Sequence, residues 1–356
     1  MDDIRNIVEF SLLQTGTLNK IDFFRKYRED LLNENLLKKQ FAKKVIENLF
    51  FDIKKYTKDI DILVSKIKNK ESSIIVYEED DYPFLLSNIK DPPCVLFADG
   101  RLSLLEKENT IGVVGARKTD LYGKDVCKDI VSKIAEANMV IVSGLAIGID
   151  NNAHKAALAK NGDTIGVVPV QHHTPVRTNS TRREMYDKGL VLAEYPSFVP
   201  IKPWMYISRN RIIAGLSKGV FVVRAAIRSG SLSTASFATS YNRDVFALPG
   251  NIYEILSAGT AKLIKDGAVP VFSADDILSF YHLKNKKIKE KNVSMTYSLK
   301  EEEKKIIDLL SDKVLHVDEI AFKSGLSTKK AKTILTGLEL KSYVVMMSGE
   351  NYSLVR

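Results

Sequence analysis

From about Ser72 the chain alternates short β-branched runs with stretches at helical spacing, and no other feature constrains its fold as tightly. The runs are Ile74 to Tyr77, Thr110 to Val114, Met139 to Val142, Thr164 to Val168, Gly219 to Val223 and Val245 to Leu248. Strands separated by helices build βαβ units on a mostly parallel sheet. The expected fold class is therefore α/β, with a Rossmann-like domain over residues 71–282.

Two modules flank it. Residues 1–70 carry Leu31, Leu32, Leu36, Leu37, Phe41, Val45, Ile46, Leu49 and Phe50 at helical spacing with no glycine after Gly16, which predicts a small helical domain. Residues 283–298 lose apolar content and gather Lys284, Lys286, Lys287, Lys289 and Lys291, a solvated linker that could also touch phosphate. In residues 299–356, helices are expected over Glu301 to Ser311, over Val317 to Ser324, and from a Ser327 cap through Leu338 to Leu340. Tyr343 to Met347 and Tyr352 to Val355 then flank the turn Gly349-Glu350-Asn351. That order is a winged helix, with Lys329, Lys330 and Lys332 on the third helix, the one that enters the major groove in DNA-binding versions; many such modules instead contact protein.

Four segments at strand-to-helix crossings carry the chemistry. In Ile111-Gly112-Val113-Val114-Gly115-Ala116-Arg117, the small Gly115 lets backbone approach a phosphate and Arg117 supplies a cation. A tight turn with a surface arginine fits that segment equally well. Ser143-Gly144-Leu145-Ala146-Ile147-Gly148-Ile149-Asp150 ends the next strand, so Gly144, Ala146 and Gly148 fall on the same crevice edge. Neither segment is a dinucleotide fingerprint or a phosphate loop of the nucleoside-triphosphatase type, and no nucleotide cofactor is expected. Asp150 and His154 stand four apart on one helical face, where structural hydrogen bonding is the expected role rather than catalysis or metal binding.

The third segment, Ser208 to Ser217, places Arg209 and Arg211 around Asn210 at what reads as a helix start. Arginines there call for an anion or an internal carboxylate. Tyr206 just before it offers a face on which an unpaired base can stack, while Trp204 is expected in the core. The fourth segment, Arg228 to Ala235, puts Ser229, Gly230, Ser231 and Thr234 at another helix start. It forms either a phosphate cup or an ordinary cap with Ser231 in the capping role.

Composition agrees with an anionic partner. The formal net charge is +9 at pH 7, which favours nucleic acid without excluding a merely solvated basic surface. No apolar run approaches the length needed to cross a bilayer, and Met1 to Ser11 lacks the pattern of a secretory signal, so the expected compartment is the cytoplasm. Cys94 and Cys127 lack metal-ligand spacing and are expected as buried small hydrophobes; no metal site is expected.

Taken in order, these segments resemble the DNA-processing protein A (DprA/Smf) family. The likeness runs from about Tyr82 to Ala268 and includes Tyr82-Pro83, Asp91-Pro92-Pro93, Val114 to Arg117, Ser143 to Ala146, Gly148 to Asp150, Ala153-His154, Glu194-Tyr195-Pro196, Arg209 to Ser217, Ser229 to Leu232 and Pro249-Gly250. The resemblance implies an extended Rossmann fold between a helical (SAM-like) domain and a winged-helix domain. It also implies binding of single-stranded DNA without cleavage, a homodimer, and assistance to RecA recombinase loading in transformation or recombination. Gly115, Arg117, Gly144 and Ser229 to Ser231 would contact phosphates, with Tyr206 near a base. The chain departs from the family pattern at Pro169-Val170-Gln171-His172-His173, at Tyr206-Ile207, and at Arg224, where the family usually has an acid. Arg224 is expected to make the pocket more cationic. The alternative reading is a nucleotide-binding Rossmann sensor, or a regulator whose winged helix binds duplex DNA.

Overall fold

A computed structural model describes residues 2–171, 180–283, 301–310, 314–340, 343–347 and 349–354. The chain divides into two compact units, Met1–Lys287 and Ile288–Arg356.

The first unit opens with helices α1 (Asp2–Ser11), α2 (Thr17–Tyr27), α3 (Glu34–Gln40), α4 (Lys43–Lys55) and α5 (Thr57–Lys68). Strands β1 (Ser73–Val76) and β2 (Val95–Gly100) follow, with the short α6 (Phe84–Ser87) between them. The α/β core then runs β3 (Thr110–Val114), α7 (Leu121–Glu136), β4 (Val140–Ser143), α8 (Ile149–Leu158), β5 (Thr164–Val170), α9 (Ser180–Lys188) and β6 (Leu190–Tyr195). It continues through α10 (Pro203–Gly215), β7 (Gly219–Val222), α11 (Gly230–Ser240), β8 (Asp244–Ala247), α12 (Ile255–Lys265), β9 (Val269–Pro270) and α13 (Ala274–Phe280). The strands form one sheet in the order β1-β2-β6-β5-β4-β3-β7-β8-β9. Pairing is parallel from β6 to β9, and β1 and β2 join antiparallel at one edge.

The two sheet faces are written into the strands with a period of two. Ile111, Val113, Ile141, Phe221 and Val223 pack with Ile130, Ile134 and Ala153 of α7 and α8. Their neighbours Val114, Val140, Val142, Val220 and Val222 pack with Ile212, Ile213 and Ala235 of α10 and α11. Burial on both faces is why the strands read as nearly continuous apolar runs. The amino-terminal helices share this second core: Phe10, Phe23, Phe24 and Leu37 belong to one buried cluster with Leu96 and Leu192.

Several expectations shift. β2, β6 and β9 were not among the runs singled out, and β5 extends through Pro169 to Val170, which pairs with Tyr195. Gln171 then donates its amide to Ser72 Oγ at 2.7 Å and to Asp99, tying the end of β5 to the antiparallel edge. His172 and His173 lie outside the described residues, as do the linker lysines.

The second unit is the expected winged helix: α14 (Glu301–Leu310), β10 (Leu315–His316), α15 (Val317–Ser324), α16 (Thr328–Leu340), β11 (Val344–Met347) and β12 (Asn351–Leu354). Gly325 ends α15 at φ 75°, and Ser327 Oγ accepts from Lys330 N in the capping role expected of it.

Candidate nucleic-acid interface

Along the sheet, β4, β5 and β6 lie to one side of β3, and β7, β8 and β9 lie to the other. The chain therefore reverses direction between β3 and β7, and open α/β sheets bind ligands outside the carboxyl ends of strands at such a point. A cleft of about 760 Å³ sits there, lined from β3 by Gly115, Ala116, Arg117 and Lys118 and from the β4–α8 turn by Ala146 and Asp150. Helix α10 adds Tyr206, Ile207, Arg209 and Asn210, and the far wall is Ala226, Ser229, Gly230, Ser231, Thr234 and Leu256.

Glycines set how closely these walls approach. A Cβ on Gly115 would fall 2.7 Å from the Ile149 side chain. Gly148 has φ +91°, and a Cβ there would meet the Ala116 and Arg117 carbonyl oxygens at 2.3 and 2.5 Å. Neither Gly144 nor Gly148 lines the cleft; both build it from beneath.

The Arg-Asn-Arg run resolves into three roles because successive helical residues turn by about 100°. Arg209 faces the cleft but is only 6% exposed, and its Nε and Nη1 have no partner among the described residues. Burial lowers its pKa, opposed chiefly by the charge of Asp150. Asn210 donates to Ser233 Oγ at 2.9 Å and to the Gly230 carbonyl at 3.3 Å, fixing α10 to the start of α11. Arg211 does not reach the cleft: it is 2% exposed, and its Nη2 donates to both oxygens of Glu194 at 2.7 Å, with Asp91 beside it. Of the two partners the sequence offered Arg211, an anion or an internal carboxylate, it has the carboxylate, and its place as a phosphate-binding residue is corrected. The reasoning from a helix start also fails, because α10 begins at Pro203 and both arginines sit well inside it.

At α11 the cap is Ser229 rather than Ser231. Ser229 Oγ accepts from Ser231 N at 3.3 Å and lies 2.7 Å from Ser231 Oγ. Arg117 holds its guanidinium 5.5 Å from the Tyr206 ring centroid, a cation–π contact across the mouth. Trp204 is not in the core; it stands half-exposed, edge-on to Tyr195.

Asp150 is the one carboxylate among the described cleft residues. Burial pushes its pKa up to about 6, against Arg209 and backbone donors including Gly144 N at 3.2 Å. His154 bonds Thr164 Oγ1 at 2.7 Å instead of Asp150. Because that hydroxyl donates to the Ile141 carbonyl, the imidazole is the donor through Nδ1, and burial lowers its pKa to about 3. The two side chains therefore make separate contacts and do not bond each other, Asp150 at the cleft and His154 behind it. Among the described residues no cluster of three or more His, Cys, Asp or Glu could hold a metal, and no helix is long and apolar enough to cross a membrane.

Arg224 does not make the cleft more cationic. It is buried behind the wall and bridges Asp120 and Glu254, so its charge is consumed by two carboxylates. Cys94 and Cys127 are buried free thiols, each raised by burial to about 12.

Residues 73–282 match the family described as DNA recombination-mediator protein A, and residues 295–350 match the DprA winged helix domain. The chain belongs to the DprA family. DNA processing protein DprA of Bacillus subtilis (strain 168) is 37% identical over 247 residues, which are 69% of this chain and 81% of that protein. Protein Smf of Escherichia coli (strain K12) is 34% identical over 300 residues, covering 82% of this chain and 80% of its own length. Among solved structures, DprA from Streptococcus pneumoniae aligns with a TM-score of 0.67 at 31% identity over 78% of this chain and 97% of that one. DNA processing protein A from Helicobacter pylori, whose structure addresses its single-stranded DNA binding mode, aligns at 0.54 and 30% identity over 60% of this chain and 96% of that one. The DprA likeness therefore spans both the cleft-bearing unit and the winged helix.

Proposed function

We propose that the chain binds single-stranded DNA in the switch-point cleft without cleaving it, and that as a cytoplasmic homodimer it helps load RecA during transformation or recombination. The observation that carries the reading is Arg209. Arg211 also leaves Nε and Nη1 unpartnered but holds Glu194 through Nη2. The buried Arg209 guanidinium, by contrast, makes no hydrogen bond or salt bridge among the described residues, which costs several kcal/mol of desolvation unless an anion completes it. Phosphate suits that place, because the start of α11 adds backbone amides and the Ser229 and Ser231 hydroxyls on the facing wall. Gly230 supports this from the other side. Nothing lies within 4 Å of a Cβ built on it, so internal packing gives no reason for glycine there, whereas close approach of a ligand does. Binding without turnover fits the single cleft carboxylate, which is engaged by backbone amides and faces Arg209.

The test is anisotropy of labelled oligothymidine beside a duplex of equal length over a range of salt. Single-strand preference is expected, with log K falling by roughly 0.7 per log unit of salt for each neutralised phosphate. The Arg117→Ala, Arg209→Ala double variant should bind more weakly and with a shallower slope; equal wild-type affinity for single strand and duplex would overturn the reading. RecA loading is tested by RecA's ATPase on single-stranded DNA with and without this protein.

A further inference from the structure

Beyond Leu256, the cleft wall runs into an exposed apolar shelf that no role yet described uses. Ile255 and Ile227, sequence neighbours of the wall residues Leu256 and Ala226, are largely exposed. Tyr253 is 89% exposed with Ile252 beside it, and Tyr122 is half-exposed, its hydroxyl 3.5 Å from the Pro249 carbonyl. Single exposed apolar residues are ordinary, but five on segments that adjoin the cleft residues Ala226 and Leu256 or are tied to them around Arg224, two of them tyrosines, are not.

The shelf is built, not loose. Arg224 lies beneath it with its guanidinium carbon 5.4 Å from the Tyr122 ring centroid. It joins Asp120, the cap of the helix that carries Tyr122, to Glu254, which follows Tyr253 directly. The Cγ of Arg224 would clash with a Cβ on Gly123 at 2.6 Å, and its Nη1 with one on Gly250 at 2.9 Å, so the first turn of α7 and the loop before α12 both close down on this side chain. Arg224 therefore acts as a clamp that joins the first turn of α7, with Tyr122, to the loop that carries Tyr253 beside the wall of the cleft.

We propose that this shelf is a base-stacking subsite, on which Tyr253 and Tyr122 receive bases of the same DNA strand whose phosphates lie in the cleft. The proposal rests on the single-strand reading of that cleft. Three things favour bases over a protein partner. The shelf is continuous with the cleft through Leu256 and Ala226. Its rings are tyrosines, whose faces stack on any base. The flanking Arg117, Lys118 and Arg228 make no ion pair among the described residues, leaving cations available to the strand as it leaves the cleft.

Stacking and phosphate neutralisation respond differently to salt, which makes the proposal testable in the full chain. Affinity for a long oligothymidine is measured over a salt series for wild type, Tyr253→Ala, the Tyr122→Ala, Tyr253→Ala pair and Arg209→Ala, with photocrosslinking of 5-iodouridine oligonucleotides as a second readout. The tyrosine variants should bind about ten-fold or more weakly with the salt slope unchanged and should lose crosslinks to this region. Arg209→Ala should lower the slope itself. Tyrosine variants within two-fold of wild type, with crosslinks elsewhere, would overturn the shelf while leaving the cleft standing. A loss of affinity that tracks conversion to monomers, seen by light scattering, would overturn it in favour of a contact with a second copy. Failure of wild type to bind oligothymidine would remove the cleft reading and the shelf together.

Discussion

The guanidinium of Arg209 occupies the space that a side chain on Gly144 would need: a Cβ built there falls 1.6 Å from Nη1. Gly144 therefore acts through the arginine. The atom in conflict is the far end of a long side chain, so Gly144→Ala should displace the guanidinium rather than the sheet. Expected are a melting temperature close to wild type and roughly ten-fold or greater loss of oligothymidine affinity, the scale of a lost charge-assisted contact. Unchanged affinity would mean that Arg209 does not bind the strand from this position.

Arg211 predicts the opposite split. Its Nη2 donates to both oxygens of Glu194 in a pair buried on both sides, and removing one partner strands the other charge. Arg211→Met should cost about 3–5 kcal/mol of stability by denaturant titration, while protein that remains folded binds DNA with wild-type affinity. Selective loss of binding would return Arg211 to the cleft.

These contrasting arginines mark how far the sequence could be read. β-branched runs located the parallel strands because burial on both faces leaves a dense apolar signature, and Gly115, Arg117, Tyr206, Arg209, Ser229, Gly230, Ser231 and Thr234 do meet at one cleft. Arg211 was misplaced because its partners Glu194 and Asp91 are distant in sequence, and only the folded chain brings them together. Arg224 was misread for the same reason, with Asp120 and Glu254 each far along the chain. Lys118 and Asn210 were missed as cleft residues, although each adjoins an arginine that was named.

Gly230 separates ligand approach from packing. With open space around its Cβ and a position at the start of α11, Gly230→Val should leave thermal stability within about 0.5 kcal/mol, the range for surface changes. Its branched side chain would project into the cleft, and oligothymidine affinity should fall several-fold. Full affinity in this variant would place the strand away from the start of α11.

In the winged helix, Lys330 and Lys332 are paired with Glu302 and Glu350. Residues 301–356 carry nine acidic and nine basic side chains, so the net charge of +9 resides elsewhere in the chain. Deleting residues after Lys300 should therefore leave single-strand affinity and its salt slope within about two-fold of the full chain, a slope scaling with phosphates neutralised. A large fall in slope would move the phosphate contacts into the winged helix.

Asp150 gives the cleft a pH signature whose sign follows from its surroundings. Burial raises its pKa from 3.8 to about 6, so the folded chain keeps a proton that the unfolded chain releases between about pH 4 and 6. The protonated carboxyl favours folding fully below pH 4, and that contribution is lost as pH rises through 6, by up to about 3 kcal/mol at 1.36 kcal/mol per unit. His154 runs the other way, because its depressed pKa penalises the folded state as pH falls below 6.5. The difference between wild type and Asp150→Asn cancels the histidine and isolates the carboxylate. Wild type should lose stability relative to that variant from pH 4 to 6 and run parallel to it above 7. A phosphate-mimicking anion that draws on Arg209 would weaken the charge opposing the shift, so added inorganic phosphate should move the window upward. A flat difference across pH 4 to 7 would show that Asp150 titrates normally, its burial offset in full by Arg209 and the backbone donors, and that Arg209 is already engaged by an internal charge.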